Sequence, residues 1–288
     1  MYAVISPSEN STPASGAAPP RRWADGAAEV SFAQVADETR LRHLYQSDPC
    51  RVLFPRQADG APKEAVIVTT SGGVVGGDRL RFDIGAGADC VATVTTQAAE
   101  KIYRAAGADS EIDVTVSAQD CGFLEWVPQE TILFDGARLR RRTRLDLRGT
   151  ARVLAGEIVV FGRRARDEKF TCGFLHDDWR VFKDGRLVWA DALNLSADIG
   201  ARIANVHAFD NAAAVATAIY CAPDAAAQLE WARDLIGEGG ASCVDGILVI
   251  RLVNADAAAL RADFAQFWKT FRHEIAGLPA TLPRVWEV

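Results

Sequence analysis

The residues able to do chemistry fall into three groups. The first is Ser71-Gly72-Gly73-Val74-Val75-Gly76-Gly77-Asp78-Arg79, where Gly72, Gly73, Gly76 and Gly77 crowd a short stretch. Glycine lets a backbone take φ > 0 and approach other groups closely. Gly72 and Gly77 have the spacing of a phosphate-binding loop, but Asp78 and Arg79 stand where that loop needs Lys and Ser or Thr. An aspartate there repels phosphate, and no Gly-x-Gly-x-x-Gly pattern occurs. Two readings remain open: a tight turn between strands, and a backbone-lined passage with Asp78 as its acidic group.

The second group is carboxylates set in polar turns or strands: Asp135, Glu157 and Glu168. A pair such as Glu157 and Glu168 is the equipment of a carboxylate-based hydrolase, and the sequence gives no distance between them. The third group is metal-binding types. Cys172, His176, Asp177 and Asp178 have loose spacing, which favours a surface turn over a ligand set. His43, His207 and His273 are scattered, so no three- or four-ligand site can be assembled. Arg138, Arg140, Arg141, Arg142, Arg144 and Arg148 crowd one region. Internal pairing or a solvated face is favoured over a docking patch for an acidic partner.

The 288 residues suffice for a core that needs no staples. The formal net charge of -6 disfavours nucleic acid, whose phosphates call for many cations. The six cysteines form no Cys-x-x-Cys pair and sit in or beside apolar stretches, where they read as small hydrophobes. No basic-then-apolar leader and no long apolar run is visible, so a cytoplasmic, membrane-free protein is expected.

These groups need elements to hold them. Residues 1–27, rich in Ser, Pro, Ala and Gly, read as a flexible tail. From Glu29 to Val253 the chain reads mostly as short strands. Ala65–Thr70 is β-branched, and Leu80–Ile84, Ile112–Ser117 and Leu139–Leu147 alternate apolar with polar residues. Turn residues separate such runs at intervals of about eight to twelve positions, which means a multi-stranded β architecture. Pro223–Ile236 reads as a helix. A second helix follows Asn254 as N-cap and carries the stripe Leu260, Phe264, Phe267, Trp268, Phe271 and Ile275 before Gly277 and Pro279 stop it. With the strand Ile247–Val253 between them, the last third is expected to be a helix–strand–helix unit.

The order of segments carries a resemblance. Gly72-Gly73-Val74-Val75-Gly76-Gly77-Asp78 is followed by a strand, by Gly85-Ala86, and by Thr95-Thr96-Gln97-Ala98-Ala99-Glu100-Lys101-Ile102-Tyr103-Arg104. Then come Pro128-Gln129-Glu130-Thr131-Ile132-Leu133-Phe134, Glu157, Gly162-Arg163, Glu168, and Leu282-Pro283-Arg284-Val285-Trp286. From about Ala65 to the end this resembles the UreD (UreH) family of urease accessory proteins. One departure is Asp167, where the family has a Gly before the Glu.

The resemblance implies a mainly β fold, two layers of multi-stranded sheet wound in a helical path, with a small C-terminal helix–strand–helix element. It implies a single domain over residues 28–288, with a β body to about 221 and an α/β element from about 222. It implies a urease maturation chaperone, not an enzyme, that binds the urease apoprotein, UreF and the GTPase UreG. No cofactor is held tightly, and nickel passes in transit. Candidate conduit residues are Gly72, Gly73, Gly76, Gly77, Asp78 and Asp135, with Asp78, Glu157 and Glu168 as transient metal ligands. The absence of a tight nitrogen–sulfur site suits a protein that passes nickel on, because such a site would trap it. A metal-free docking scaffold is the alternative alongside the hydrolase.

Overall fold

A computed structural model describes residues 23–57 and 60–287. Two sheets face each other. The first runs in the order β14 (Arg186–Leu195), β13 (Phe174–Lys183), β11 (Arg138–Leu147), β8 (Ser110–Ala118), β5 (Arg79–Ala86), β1 (Asp25–Val35) and β2 (Glu38–Ser47). The second runs β16 (Gly240–Val244), β17 (Ile247–Asn254), β15 (Ala214–Cys221), β12 (Arg152–Phe161), β9 (Phe123–Trp126), β6 (Val91–Thr96), β4 (Lys63–Thr69) and β3 (Cys50–Leu53). Short β10 (Thr131–Leu133) joins it beside β12, with β7 (Glu100–Ile102) beside β10.

The chain winds between these layers. It passes from β4 to β5, from β6 to β8, from β9 to β11, and from β12 to β13. Each turn adds one strand to each sheet in parallel register. The expected mainly β, helically wound, two-layer fold is therefore observed. The two sheets differ in cover. The first alternates buried residues with exposed or half-buried ones along β5, β8 and β11, so its outer face meets water. The second is buried on both sides, as the near-continuous apolar run of β12 requires.

Cover for the second sheet comes from α2 (Leu229–Ile236) and α3 (Ala257–Ala276), while the short α1 (Ile199–Ala204) lies before β15. The six stripe residues of α3 are all buried, in a cluster with Leu154, Ile158 and Tyr220 of the sheet. The expected N-cap is corrected. Asp256, not Asn254, takes the N–H groups of Ala258 and Ala259, and Asn254 is the last residue of β17, its Oδ1 accepting from the Asp256 N–H at 2.9 Å. The expected helix over Pro223–Ile236 is shorter too. Its first turn tightens into a 3-10 turn at Ala225–Gln228, with Ala225 buried and Asp224 held by Tyr220 and Gln228. Between the helices lies a hairpin, β16–β17, rather than one strand. Because β17 pairs with β15, the C-terminal element is continuous with the β body.

Of the tail read over residues 1–27, residues 1–22 lie outside the described residues, and Asp25–Ala27 are strand, paired with Arg79–Arg81. Their small side chains look like linker composition, yet they answer to close contact. A Cβ on Gly26 would stand 2.6 Å from Pro49 Cδ. The cysteines are corrected in part: Cys50, Cys90 and Cys221 are buried, whereas Cys121 and Cys172 are exposed.

Candidate functional site

Segments far apart in sequence meet at one end of the wound strands. The Gly-rich turn is seated on the strand after β6: the Val74 N–H donates to Lys101 O at 2.8 Å, and the Tyr103 N–H to Val74 O at 2.9 Å. The Tyr103 hydroxyl donates to Gly72 O at 3.1 Å. Gly73, at φ 141°, is required by this contact, because a Cβ there would lie 2.5 Å from the Tyr103 ring and 2.7 Å from Lys101 O. Tyr103 meets Phe134 edge-on at 4.8 Å, and the Arg163 guanidinium lies over Phe134 at 4.0 Å.

Two carboxylates close the cluster. Asp135 Oδ1 accepts from the Thr171 N–H at 2.8 Å, the Thr171 hydroxyl at 2.9 Å and the Cys172 N–H at 3.2 Å, while Oδ2 pairs with Arg104 at 3.0 Å. Partial burial opposes its charge, but the Thr171 and Cys172 hydrogen bonds outweigh it and hold the carboxyl below its ordinary range. Glu168 pairs with Arg163 and accepts from the Asp135 N–H at 3.2 Å. The Arg163 hydrogen bonds hold its carboxyl below the ordinary range. Asp167, the departure from the family pattern, sits at φ 54°, in the left-handed region that Gly favours and Asp tolerates. The turn therefore survives the change.

Asp78 has a different setting. It is buried, Oδ1 accepts from the Ala24 N–H at 2.8 Å, and Oδ2 from the Val75 N–H at 2.9 Å. It fastens the Gly-rich turn to the start of β1. Gly77 serves the same closure, since a Cβ there would lie 2.5 Å from the Trp23 ring, whereas Gly76 packs on the segment after β7, where a Cβ would lie 2.5 Å from Ala108 O.

Glu157 lies between the sheets. Arg141 Nη2 reaches Glu157 Oε2 at 2.6 Å, and Trp179 Nε1 donates to Oε1 at 2.8 Å. The same guanidinium pairs with Asp177 through Nε at 2.9 Å and through Nη2, and Nη1 donates to Thr131 Oγ1 at 2.9 Å. Two carboxylates thus share one buried cation. Burial pushes Glu157 well above its ordinary range; Asp177, also buried, is held below its own by Arg141. Glu157, Asp177 and Trp179 line a cavity of about 250 Å³ together with Phe209 and Val215. At that cavity Arg251 of β17 pairs with Asp191 of β14, joining the sheets. Glu157 and Glu168 share no partner, so the paired-carboxylate hydrolase gains no support. Among the described residues, no group of three or more His, Cys, Asp or Glu stands ready to hold a metal ion.

A family model described as UreD urease accessory protein matches residues 24–287. The chain is 42% identical over 278 residues to the urease accessory protein UreD of Magnetococcus marinus, covering 93% of this chain and 96% of that one. It is 42% identical to the UreD of Xanthobacter autotrophicus (92% and 91% covered) and 40% identical to that of Azorhizobium caulinodans (93% and 98%). The chain belongs to the UreD family. Its role is accordingly in urease maturation. Within this UreD chain, the family-like segments at Gly72–Gly73, Tyr103–Arg104, Phe134, Gly162–Arg163 and Glu168 are those that converge. The C-terminal one is set apart: Trp286 Nε1 donates to Thr95 Oγ1 at 3.2 Å and to Val127 O at 3.1 Å, anchoring the chain end.

The arginine-rich strand resolves into pairs. Arg138 and Arg140 hold Asp109, Arg142 holds Asp113, and Arg144 holds Asp146, on the open face of the first sheet. The sequence reading missed that Arg141 points inward with Asp177 as its partner. The parity of β11 carries the signal, because Arg141 falls in step with buried Leu139, Thr143 and Leu145. No helix among the described residues is long and apolar enough to cross a membrane.

Proposed function

We propose that this UreD chain acts in the cytoplasm as a non-enzymatic chaperone that docks with urease apoprotein, UreF and the GTPase UreG, and offers nickel a route toward the urease active site. The observation that carries the reading is the convergence of the family-like segments on one loop surface that ends in two ionised carboxylates, Asp135 and Glu168. Carboxylates already engaged by backbone N–H groups and arginine hold a passing divalent cation weakly and release it, as a conduit must. Asp177, held ionised by Arg141, offers a second acidic station at the cavity between the sheets, beside Glu157. Asp78 has both oxygens engaged by backbone, and its part is to shape the Gly-rich turn.

The test is reconstitution. Apo-urease, UreF, UreG, GTP, bicarbonate and limiting nickel are mixed with the wild-type chain or with Asp135→Asn, which keeps an acceptor for Thr171 but removes the charge. Activation should fall on the order of tenfold, with the thermal midpoint little changed. Full activation with Asp135→Asn removes Asp135 from the route. Activation that does not need the chain at all removes the route altogether.

A further inference from the structure

Among the described residues the first sheet ends at β2, and this strand is exposed on both faces over all its residues but Thr39 and Ser47. Soluble proteins avoid a long bare edge of this kind or use it, because its free N–H and C=O groups template another strand. A register shift shapes it. Ser31 of β1 faces His43 and Phe32 faces Leu41, leaving Arg42 unopposed. Leu41 and Leu44 therefore share the inner side with buried Phe32 and Val30. The second sheet is tied to the strand near its ends, where the Val91 N–H donates to Thr39 Oγ1 at 3.0 Å and the Val52 N–H to Gln46 Oε1 at 2.8 Å. Between these ties Leu41 and Leu44 are each 40% exposed.

One charge on the strand is also unspent. Arg40 pairs with Glu38 at 3.0 Å and His43 meets Glu29 at 2.8 Å, but Arg42 has no ion-pair partner among the described residues. An unpaired arginine on the edge of a chain of net charge -6 favours an acidic visitor. A second copy fits poorly, since the one carboxylate its β2 carries, Glu38, is already held by Arg40 and leaves none for Arg42.

We propose that β2 is a docking strand for an extended, acidic segment of a protein partner. The segment adds to the sheet through main-chain hydrogen bonds, seats apolar side chains on Leu41 and Leu44, and places a carboxylate on Arg42. The inference stands on this edge alone and does not depend on the nickel route.

The probes are two end-blocked synthetic hexapeptides, one of alternating Glu and Val and one of alternating Lys and Val, each added to the full chain. Hydrogen exchange is followed at β2 and, as a fold control, at β12. The acidic peptide should slow exchange in β2 alone, and the basic peptide should not. Arg42→Glu should weaken the acidic peptide about tenfold or more and admit the basic one; Leu44→Thr should weaken it while leaving β12 unchanged. No protection by either peptide, or equal protection by both, overturns the proposal. Protection that instead grows with protein concentration, with dimers in sedimentation, assigns the edge to self-association and overturns it too.

Discussion

Glu157 and Asp177 lean on one buried guanidinium, so their charges cannot be varied independently. Replacing Arg141 with Leu leaves two carboxyls in the interior without their cation, and the expected cost is about 3–5 kcal/mol, read as a shift in urea midpoint. Glu157→Gln is the contrasting change. Burial raises the folded-state carboxyl above its ordinary 4.5, so its contribution to stability is complete below that value and is lost as pH rises through the folded-state value. The glutamine variant should therefore gain on the wild type as pH rises. A constant difference across pH would show that Glu157 titrates normally. Glu100 poses the same question with a defined window. It is half-buried, and burial pushes its carboxyl up to about 7, against the Thr69 hydroxyl and Lys101. Its stabilising share is full below 4.5 and fades as pH climbs through about 7. Glu100→Gln should match the wild type near pH 4 and exceed it by about 1–3 kcal/mol near pH 8. Equal urea midpoints at pH 8 would contradict this.

At the scale of elements, what the sequence announced and what it hid follow from how local each cause is. The strands β5, β8 and β11 were legible because one face of their sheet meets water and the residues alternate. The α3 stripe was legible for the same reason, with period 3.6 in place of 2. β12 has no alternation, since both its faces are buried, and the hairpin strand β16 is too short and polar to stand out. The site was legible only as segments. Nothing in the spacing of Gly73, Tyr103, Phe134 and Arg163 tells that they touch. The winding of the chain stacks their turns at one end, and that is a property of topology. Asp78 and Glu157 looked alike as acids beside motifs. They part company once burial and partners are known: one is tied to backbone N–H groups, the other to a buried arginine and an indole.

At the scale of the whole molecule, ties cross its layers. Glu125 of β9 is fully buried. It accepts from Arg272 Nε at 2.9 Å, from Arg272 Nη2 at 2.5 Å, from Trp268 Nε1 at 2.9 Å and from the Thr93 hydroxyl at 2.5 Å. Arg272 also donates to the carbonyls of Pro279 and Thr281. One guanidinium thus fastens α3, the second sheet and the chain end together, and the pairing of β15 with β17 carries the sheet into the C-terminal element. If these ties make a single cooperative unit, Arg272→Leu should lower one unfolding transition by about 3–5 kcal/mol and leave the fluorescence and circular-dichroism melts coincident. If the helical layer is separable, the same variant should split the melt. Tryptophan signals from Trp268 and Trp286 would then be lost at a lower temperature than the β signal, and the element from about residue 222 would have to be treated as a domain of its own.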